Sequence, residues 1–588
     1  MGTTVISALE SAAEQHRDGP ALRWKSDGDW QTLSWRHVRD RVMDAAAGLI
    51  GLGLEAGDGV VILASNRPEW PMADFAAIAA GGVPTGLYTT ATADQCSYIT
   101  DHCEATVAVL ENAACLDQIA GARDRLKGVV LMDGPAEEAG CLTWDRLIAS
   151  GDDPELQRVL AERVAALHED QVSTLIYTSG TTGPPKGVML SHRNLLWTAR
   201  QITEPFGLDS SHRGLSYLPL SHVAEQVVSI YGPLQIGGCV AFAESLEALP
   251  ENLREIRPTF FFGVPRVWEK IQASMEAAGA RSGPLKRALV RWARRVGLGT
   301  AYSLQNGDGP LPGYGLARRL VYQKVRKRLG FDRTAYFVTS AAPISVSTLE
   351  FFMSLGISIL EVYGMTECTG PGTLSTPERN RTGCAGFALP GTEMKLLDDG
   401  EICMRGPHVF LGYYKSREAT REALDADGWL HSGDIGALDQ DGLVRIVDRK
   451  REIIITSGGK NIAPVPIELE LKSIPGVALA VVIGDRRKYL SALLTLDPDQ
   501  VSVVAGRLGL DLRTVKEAAV HAEFRGYLEE QVELVNSKLA NYETIKRFAV
   551  LDSQFSVEED TLTPTLKLRR KEIAEMYRDE IEGLYAGG

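Results

Sequence analysis

The sequence has 588 residues, 44% of them hydrophobic, and a formal net charge of −14 at pH 7. This length and apolar content suffice for several domains with cores of their own. The acidic balance argues against nucleic acid as the main partner, since a phosphate backbone requires a basic face, and no apolar run reaches the ~20 residues of a transmembrane helix.

Apolar, strand-like runs alternate with amphipathic helical patterns such as 35–51 through most of the chain. The runs are 60–64, 106–110, 128–132, 173–177 and 259–263. From 387 to 447 the pattern changes to short strands and glycine turns, and a compact tail follows the charged residues 448–452. We therefore predict an α/β fold, with a large layered α/β N-terminal domain (1–450) containing a small β-rich subdomain (387–447), and a small α+β C-terminal domain (451–588).

The N-terminus and the cysteines indicate the compartment. Residues 1–10 lack a basic stretch followed by an apolar one, so no secretory leader is expected. The eight cysteines form no Cys-x-x-Cys pair, which is typical of reduced thiols in a cytoplasmic protein. We expect Cys368, next to Glu367, to be the thiol most reactive toward thiol reagents.

A run rich in glycine and hydroxyl residues directly follows the strand at 173–177. It reads Thr178, Ser179, Gly180, Thr181, Thr182, Gly183, Pro184, Pro185, Lys186. Glycines let backbone N–H groups approach phosphate oxygens, the hydroxyls donate hydrogen bonds, and Lys186 adds a cation. The spacing excludes a Walker P-loop, because only two residues separate Gly180 from Gly183 and no serine or threonine follows Lys186. An ordinary surface turn is the alternative to a different kind of ATP-phosphate loop.

This run resembles the signature of the adenylate-forming superfamily, which includes acyl-CoA synthetases, peptide-synthetase adenylation domains and luciferases. The resemblance extends in the same order from about Trp35 to the C-terminus. It implies a mobile C-terminal domain and ATP contacts from these residues: Thr178, Ser179, Gly180, Thr181, Thr182, Gly183, Lys186, Ala341 and Ala342. Thr181 would also face the metal ion.

A second motif, Tyr363-Gly-Met-Thr-Glu367, resembles another core element of the superfamily. The resemblance implies that Tyr363 stacks on adenine, Thr366 contacts the α-phosphate, and Glu367 binds the Mg²⁺ that accompanies ATP. An aromatic face suits a purine, and a carboxylate oxygen suits a hard cation that keeps most of its water. Read alone, the pentapeptide could be a strand end and turn.

Further along, Asp434 ends the run 428–434, and Arg449 lies in the charged run 448–452. By resemblance Asp434 accepts hydrogen bonds from both ribose hydroxyls, and Arg449 donates to the same nucleotide region. Alternatively, Asp434 caps a turn and Arg449 belongs to a solvated charge run.

Near the C-terminus, Lys567 aligns with the catalytic lysine of the superfamily. A lysine suits phosphoryl-group transfer because it stabilises the negative charge that builds up there. Leu566 stands where many members have glycine, and a basic helix start is the alternative interpretation. The resemblance also implies a hinge at Arg451 and a CoA-binding loop at Ser457, Gly458 and Gly459, where glycines permit close approach of the thiol arm.

Segments 217–222 and 263–270 resemble long-chain acyl-CoA synthetases, especially the bubblegum-type branch. By resemblance His222 is a catalytic residue near the carboxylate end of the acyl site, although a lone histidine is often structural. Gln226 falls near the position where some members carry a gate tryptophan, so no gate residue is assigned.

Together these motifs imply an AMP-forming long-chain fatty acid–CoA ligase whose substrates are a fatty acid, ATP and CoA, with Mg²⁺. Three alternatives stay open: an acyl-AMP ligase that loads a carrier protein, a CoA ligase for medium-chain or aromatic acids, and an inactive ATP-sensing scaffold. Retention of Lys186, Glu367, Asp434, Arg449 and Lys567 together argues against the scaffold.

Segment 281–328 is strongly basic, although the chain as a whole is acidic. It carries many lysines and arginines, a single acidic residue, Asp308, and interspersed apolar residues. We predict two basic amphipathic helices joined by the loop 306–315, and hypothesise peripheral contact with an anionic membrane at its inner face. A solvated helical face packed on its own domain is the alternative.

Overall fold

The computed structural model describes residues 3–135, 140–178, 184–280, 282–563 and 567–586. They form an α/β protein with a large N-terminal and a smaller C-terminal domain, which confirms the predicted fold class. The N-terminal helices are α1 (Val5–His16), α2 (Trp35–Gly51), α3 (Glu69–Ala79), α4 (Ala93–His102), α5 (Trp144–Ser150), α6 (Pro154–Ala166), α7 (His192–Thr203), α8 (Val223–Gln226), α9 (Gly232–Ile236), α10 (Leu249–Ile256), α11 (Pro265–Ala280), α12 (Pro284–Gln305), α13 (Tyr314–Ala317), α14 (Gln323–Leu329), α15 (Val346–Met353) and α16 (Arg417–Ala423). The C-terminal helices are α17 (Pro464–Lys472), α18 (Pro498–Arg507), α19 (Val515–Val520), α20 (Ala522–Asn536), α21 (Arg570–Met576) and α22 (Arg578–Tyr585).

The strands follow the same division. Those before residue 300 are β1 (Pro20–Ser26), β2 (Asp29–Ser34), β3 (Gly59–Leu63), β4 (Val83–Gly86), β5 (Ala105–Leu110), β6 (Gly128–Leu131), β7 (Leu142–Thr143), β8 (Val172–Thr178), β9 (Lys186–Ser191), β10 (Arg213–Ser216), β11 (Cys239–Phe242) and β12 (Phe260–Phe262). Next come β13 (Tyr336–Thr339), β14 (Ile359–Glu361), β15 (Gly364–Met365), β16 (Gly370–Pro371), β17 (Thr373–Leu374), β18 (Phe387–Ala388), β19 (Glu393–Leu396), β20 (Glu401–Arg405), β21 (Gly412–Tyr413), β22 (Leu430–Leu438) and β23 (Val444–Arg449). The last are β24 (Ile454–Ile455), β25 (Asn461–Ile462), β26 (Val477–Ile483), β27 (Leu490–Leu496) and β28 (Ile545–Val550).

The largest sheet of the described residues has the order β21-β9-β8-β4-β3-β5-β6-β7. Strands β8, β4, β3, β5, β6 and β7 run parallel, whereas β8–β9 and β9–β21 are antiparallel. Its inner strands read as continuous apolar runs because helices cover both faces. The antiparallel edge formed by β8, β9 and β21 carries the candidate phosphate loop.

In the described residues, the N-terminal domain also has two two-stranded sheets, β15-β16 and β17-β18, and three larger ones. One has the order β10-β11-β1-β2, a parallel one has the order β12-β13-β14, and an antiparallel one has the order β19-β20-β22-β23. The antiparallel sheet lies within the segment where short strands were predicted. In that segment, α16 is inserted and β21 leaves to pair with β9 of the large sheet.

The C-terminal domain has its own sheet, β26-β27-β28. Its buried apolar side chains, between Ile454 and Ile581, pack with one another. The main core of the N-terminal domain draws on residues between Val5 and Val444. The domain limits at 450 and 451 stay predictions.

The basic segment forms the two predicted helical stretches. The first is α12; the second begins at Tyr314 and consists of α13, a π-helical turn over Arg318–Tyr322, and α14. In the described part of the chain, no helix is both long and apolar enough to cross a bilayer.

Candidate active site

The candidate phosphate loop joins two strands of the large sheet. Thr178 ends β8, Lys186 begins β9, and the two residues are register partners at the mouth of this hairpin. Ser179, Gly180, Thr181, Thr182 and Gly183 lie outside the described residues, so their predicted contacts stay predictions. The antiparallel register itself keeps the lysine at the base of the loop.

The second motif places Glu367 beside a tyrosine that the sequence did not single out. Thr366 and Glu367 are buried in a short 3₁₀ turn. The Tyr413 hydroxyl donates to Glu367 Oε1 at 2.7 Å, and the Lys186 ammonium lies 5.1 Å from the centre of the Tyr413 ring. The structure therefore links Lys186 of the first motif to Glu367 of the second through one side chain.

The candidate ribose site is a buried carboxylate with two neighbours. The Tyr363 hydroxyl donates to Asp434 Oδ2 at 2.7 Å, and Arg449 Nε lies 3.4 Å from Asp434 Oδ1. Asp434 and Arg449 are register partners on β22 and β23. Burial raises the pKa of Asp434, whereas Arg449, Tyr363 and Lys567 oppose this shift. A carboxylate can accept further bonds from ribose hydroxyls, since each oxygen has two lone pairs.

Three predicted nucleotide contacts lie at the carboxyl ends of two parallel strands. Ala341 and Ala342 follow β13, and Tyr363 follows the adjacent strand β14. Ala341 has a φ of 73°, a left-handed conformation that is unfavourable for alanine and that tends to occur at functional sites. Ligands of α/β proteins commonly bind at this end of the strands.

Lys567 reaches this cluster from the C-terminal domain. Its backbone N–H donates to Thr563 Oγ1 at 3.0 Å. Burial lowers the pKa of Lys567 to about 8; Arg449 lowers it further, while Asp434, Glu367 and Glu452 oppose the shift. Lys567 therefore lies within electrostatic range of the phosphate-side and ribose-side carboxylates.

His222 belongs to the same neighbourhood. It precedes α8, and its Nδ1 accepts a hydrogen bond from the Ala224 backbone N–H at 3.2 Å. Burial, and then the charge of Lys567, lower the pKa of His222 to about 4. The imidazole is therefore neutral at pH 7 and adds no positive charge beside Lys567.

The candidate CoA loop does not join this cluster. Ser457, Gly458 and Gly459 are exposed between β24 and β25. Their backbone bonds run within the C-terminal domain, from Ser457 N to Arg487 O at 2.9 Å and from Gly459 N to Thr456 O at 2.9 Å. Arg451 is exposed in the turn after β23, and its charge acts on Tyr413.

The prediction that Cys368 is the thiol most reactive toward thiol reagents is wrong. Its side chain is fully buried, and its sulfur contacts the carbonyl oxygens of Met365 at 3.3 Å and Gly370 at 3.1 Å. Burial raises the pKa of the Cys368 thiol to about 12. A buried thiol that stays protonated is a poor nucleophile.

The residues present fit a magnesium ion that arrives with ATP better than a resident metal. Among the described residues, no group of three or more His, Cys, Asp or Glu side chains could hold a metal ion. Mg²⁺ in nucleotide sites commonly takes one or two carboxylates, with phosphates and water completing its shell. Glu367, buried beside Lys186 and Tyr413, is a suitable carboxylate.

Sequence reasoning missed two features of the site. One is Tyr413, which the run Gly412-Tyr-Tyr-Lys415, two tyrosines beside a lysine, could have indicated. The other is Glu225, one helical turn after His222, whose pKa is raised by burial to about 7 and which accepts a hydrogen bond from Ser229 at 2.7 Å.

Comparison with known protein families shows the family to which the chain belongs. Residues 9–414 match the family described as AMP-binding enzyme, and residues 451–588 match the AMP-binding enzyme C-terminal domain. The chain belongs to the AMP-binding enzyme family. The resemblance to the adenylate-forming superfamily is confirmed.

Curated relatives of this AMP-binding enzyme match nearly its whole length. The long-chain-fatty-acid–CoA ligase ACSBG2 of Xenopus laevis is 40% identical, covering 99% of this chain and 84% of that protein. The human ACSBG2 is 36% identical, covering 96% of this chain and 90% of that protein. ACSBG1 of Bos taurus is 37% identical, covering 99% of this chain and 85% of that protein. These relatives confirm the predicted bubblegum-type branch.

Solved structures of low sequence identity share the fold. The adenylation and carrier-protein didomain of the carboxylic acid reductase from Segniliparus rugosus, in complex with AMP, superposes with a TM-score of 0.74 at 23% identity. It covers 100% of this chain and 82% of that one. The anthranilate CoA ligase AuaEII, in complex with anthranoyl-AMP, gives a TM-score of 0.72 at 19% identity, over 97% of each chain.

Proposed function

We propose that this AMP-binding enzyme is an AMP-forming long-chain fatty acid–CoA ligase. The observation that carries the proposal is 40% identity across 99% of the chain with a protein named long-chain-fatty-acid–CoA ligase. The convergence of Lys186, Glu367, Asp434 and Lys567 on one region supports it, because the chemistry needs cations and a metal-binding carboxylate around a nucleotide.

In the first step, a carboxylate oxygen of the fatty acid attacks the α-phosphorus of ATP. The bond to pyrophosphate breaks, so acyl-AMP and pyrophosphate form. Negative charge builds on the oxygens around the α-phosphorus, and Lys567, Lys186 and the Thr366 hydroxyl would stabilise it. When bound, Mg²⁺ supplies charge neutralisation on the phosphates, and Glu367 would be its protein ligand; the predicted contact from Thr181 lies outside the described residues.

Nucleotide recognition would use the ribose-side cluster. Asp434 would accept bonds from the ribose hydroxyls, with Arg449 and Tyr363 holding its carboxylate in place. The ring of Tyr363 would lie against adenine, and the backbone at Ala341 and Ala342 would line the same region. The strained conformation of Ala341 supports a role in binding.

In the second step, the thiol of CoA loses its proton and attacks the acyl carbonyl of acyl-AMP, and AMP leaves. This sequence needs no covalent intermediate with the enzyme, so neither Cys368 nor a serine has to act as nucleophile. Ser457, Gly458 and Gly459 would line the approach of CoA after the C-terminal domain turns about Arg451. The exposure of that loop, away from the cluster that Lys567 joins, supports such a rearrangement.

We also propose that the enzyme works in the cytoplasm, at the surface of an anionic membrane. None of the eight cysteines forms a disulfide in the described structure, as expected in a reducing compartment. On α12 and the helical stretch after it, Leu285 is 88% exposed and Leu316 is 55% exposed. The same two stretches carry these exposed cations: Lys286, Arg287, Arg291, Arg295, Arg318, Arg319, Lys324, Lys327 and Arg328.

This basic surface is smaller than the sequence suggests. Arg294 donates to Ser354 Oγ at 2.9 Å, and Arg326 donates to the Phe331 carbonyl at 3.1 Å, so both serve the fold. The exposed cations form no ion pair with carboxylates of the described residues. Unpaired cations with adjacent exposed leucines favour a partner that offers both anionic head groups and an apolar interior.

The decisive experiment measures pyrophosphate release with carboxylic acids from C2 to C20 and with aromatic acids, each with and without CoA, with AMP and thioester quantified by mass spectrometry. We expect turnover to peak at C12 to C18 and thioester to require CoA. Lys567→Ala is the control for the chemistry, and its pyrophosphate release should fall by about 10²- to 10³-fold.

Two other outcomes would overturn the assignment. Acyl-adenylate that accumulates whether or not CoA is present would indicate loading of a carrier protein. A maximum with short or aromatic acids would move the enzyme to another substrate class.

A further inference from the structure

We propose that Tyr413 is a positioning residue that holds the metal-side carboxylate of Glu367 and the phosphate-side ammonium of Lys186 apart and correctly placed. The inference rests on the proposed function, since it concerns the same ATP site. Its basis is one side chain that contacts both charged groups at different points.

The hydroxyl of Tyr413 is hydrogen-bonded to the carboxylate of Glu367. It donates to Glu367 Oε1 at 2.7 Å, and Glu367 is itself buried. A tyrosine hydroxyl has an ordinary pKa of ~10, so it keeps its proton at neutral pH and acts as the donor in this bond. A donor fixed on one oxygen orients the carboxylate and directs the other oxygen toward a cation.

The aromatic ring of Tyr413 contacts the ammonium group of Lys186. The ammonium nitrogen lies 5.1 Å from the ring centre, within the range of a cation–π contact. The sheet explains this contact, because Tyr413 pairs with Val188 on β9 and Lys186 lies two residues from Val188 on the same strand face.

Contacts of its own backbone and ring hold Tyr413 in place. Its backbone N–H donates to Thr420 Oγ1 at 2.9 Å, and its ring packs edge-to-face on Phe410, with ring centres 5.0 Å apart. The Phe410 backbone N–H donates to the Glu367 carbonyl at 2.9 Å. The segment 410–413 therefore holds Glu367 by both its backbone and its carboxylate.

Separating the two charges has a chemical consequence. Lys186 and Glu367 form no ion pair in the described structure, although both contact Tyr413. A direct pair would neutralise the cation needed by the phosphates and occupy the carboxylate needed by the metal. With Tyr413 between them, both charges remain available to Mg²⁺–ATP.

The neighbouring residue offers a matched control. Tyr414 donates to Glu104 Oε2 at 2.7 Å, and the ammonium of Lys415 lies 5.0 Å from its ring centre. Tyr414 therefore makes the same two kinds of contact as Tyr413, a hydroxyl–carboxylate hydrogen bond and an ammonium–ring contact. Its partners, Glu104 and Lys415, lie outside the candidate site.

The experiment compares Tyr413→Phe with Tyr414→Phe in the full-length enzyme. Mn²⁺ binding is measured by electron paramagnetic resonance in the presence of a non-hydrolysable ATP analogue. We expect Tyr413→Phe to weaken Mn²⁺ binding by about tenfold, the low end for loss of a group that orients a metal ligand. Metal-free binding of the analogue and the KM for the fatty acid should not change, and Tyr414→Phe should match the wild type.

A double-mutant cycle shows whether Tyr413 acts through Glu367. In a Glu367→Gln background, Tyr413→Phe should cause much less further loss of Mn²⁺ affinity. An equal loss in both backgrounds, or Tyr413→Phe that binds Mn²⁺ as tightly as Tyr414→Phe, would overturn the proposal. Tyr413→Leu, which also removes the ring, should additionally weaken metal-free binding of the analogue.

These readouts do not depend on the acyl substrate. If the chain proves to act on another acid, the Mn²⁺ result still decides the role of Tyr413. If Tyr413→Phe behaves like the wild type while long-chain acids are converted to thioesters, the positioning role fails and the proposed function stands.

Discussion

At the scale of single residues, burial gives Lys567 unusual properties. A lysine in open water is charged throughout the physiological range, but desolvation by the surrounding protein lowers the pKa of Lys567 to about 8. Three nearby carboxylates, Asp434, Glu367 and Glu452, keep the pKa from falling further. Lys567 in the free enzyme therefore changes charge near neutral pH.

The lowered pKa of Lys567 predicts that the rate of acyl-AMP formation has a descending limb in its pH profile. Above pH ~8 the free enzyme carries a neutral Lys567, which stabilises negative charge poorly, so kcat/KM for ATP should fall as the pH rises through this value. Pyrophosphate release, measured from pH 6 to 10, checks the limb. Lys567→Arg should be slower overall, but its limb should move to higher pH because arginine keeps its charge.

Lys571→Arg is the control for this prediction. Lys571 has 72% of its side chain exposed, four residues further along the chain, and its substitution should leave the limb in place. A limb near pH 8 that persists in Lys567→Arg would assign it to another group.

At the scale of elements, helix α17 of the C-terminal domain is linked to helix α11 of the N-terminal domain. Lys472 Nζ lies 2.8 Å from Glu269 Oε2, and the two side chains are 21% and 25% exposed. The N-terminal end of α17 is tied to β23, because the Val465 backbone N–H donates to Asp448 Oδ2 at 2.9 Å. These contacts stabilise the arrangement in which Lys567 lies near Asp434 and Glu367.

Breaking the ion pair should affect the two half-reactions differently. A partly buried pair contributes about 1 kcal/mol, so Glu269→Gln should slow acyl-AMP formation by roughly twofold to fivefold if it shifts the domain equilibrium. Thioester formation from supplied acyl-AMP should not slow. Rapid-quench assays of each half-reaction provide the measurement.

A pair within one domain serves as the control. Lys538 and Glu470 are 3.0 Å apart and both belong to the C-terminal domain, so Lys538→Gln should change neither rate. Equal slowing of both half-reactions in Glu269→Gln would contradict a role for the ion pair in domain orientation.

At the scale of the whole molecule, charge is distributed unevenly. The net charge is −14, yet α12 and the helical stretch 314–329 expose cations that pair with no carboxylate of the described residues. Long-range repulsion by the acidic remainder opposes adsorption, so we expect membrane contact at this surface, where unpaired cations are concentrated.

Charge reversal on this surface should abolish vesicle binding. Each basic residue near an anionic membrane is worth about 1 kcal/mol, so Arg287→Glu, Arg291→Glu and Arg295→Glu together should weaken binding by at least about 100-fold. Co-flotation with vesicles that contain phosphatidylserine, at low salt, measures the effect.

The control reverses three exposed cations of the C-terminal domain, Lys488, Lys516 and Arg525. It changes the net charge by the same amount and should leave vesicle binding intact. Equal losses in the two triple variants, or a wild type that does not float with vesicles at low salt, would contradict the membrane proposal.

Several features could be predicted from the sequence alone because they are local. The strand at 173–177 and the lysine after the glycine run became β8 and the first residue of β9, since a hairpin depends on its own strands and turn. The basic helices at 284–305 and 314–329 also follow from local periodicity. The motifs indicated the family, and the family matches agree.

Only the tertiary structure decided which residues meet. The Tyr363–Asp434 bond and the contact of Tyr413 with both Lys186 and Glu367 join residues far apart in the chain, and no local pattern encodes such distances. Burial likewise depends on the whole packing, which is why Cys368 is inert rather than reactive and why Lys567 titrates near pH 8. Sequence determined the chemistry that was available, and packing determined where that chemistry comes together, because electrostatic strength depends on distance and desolvation.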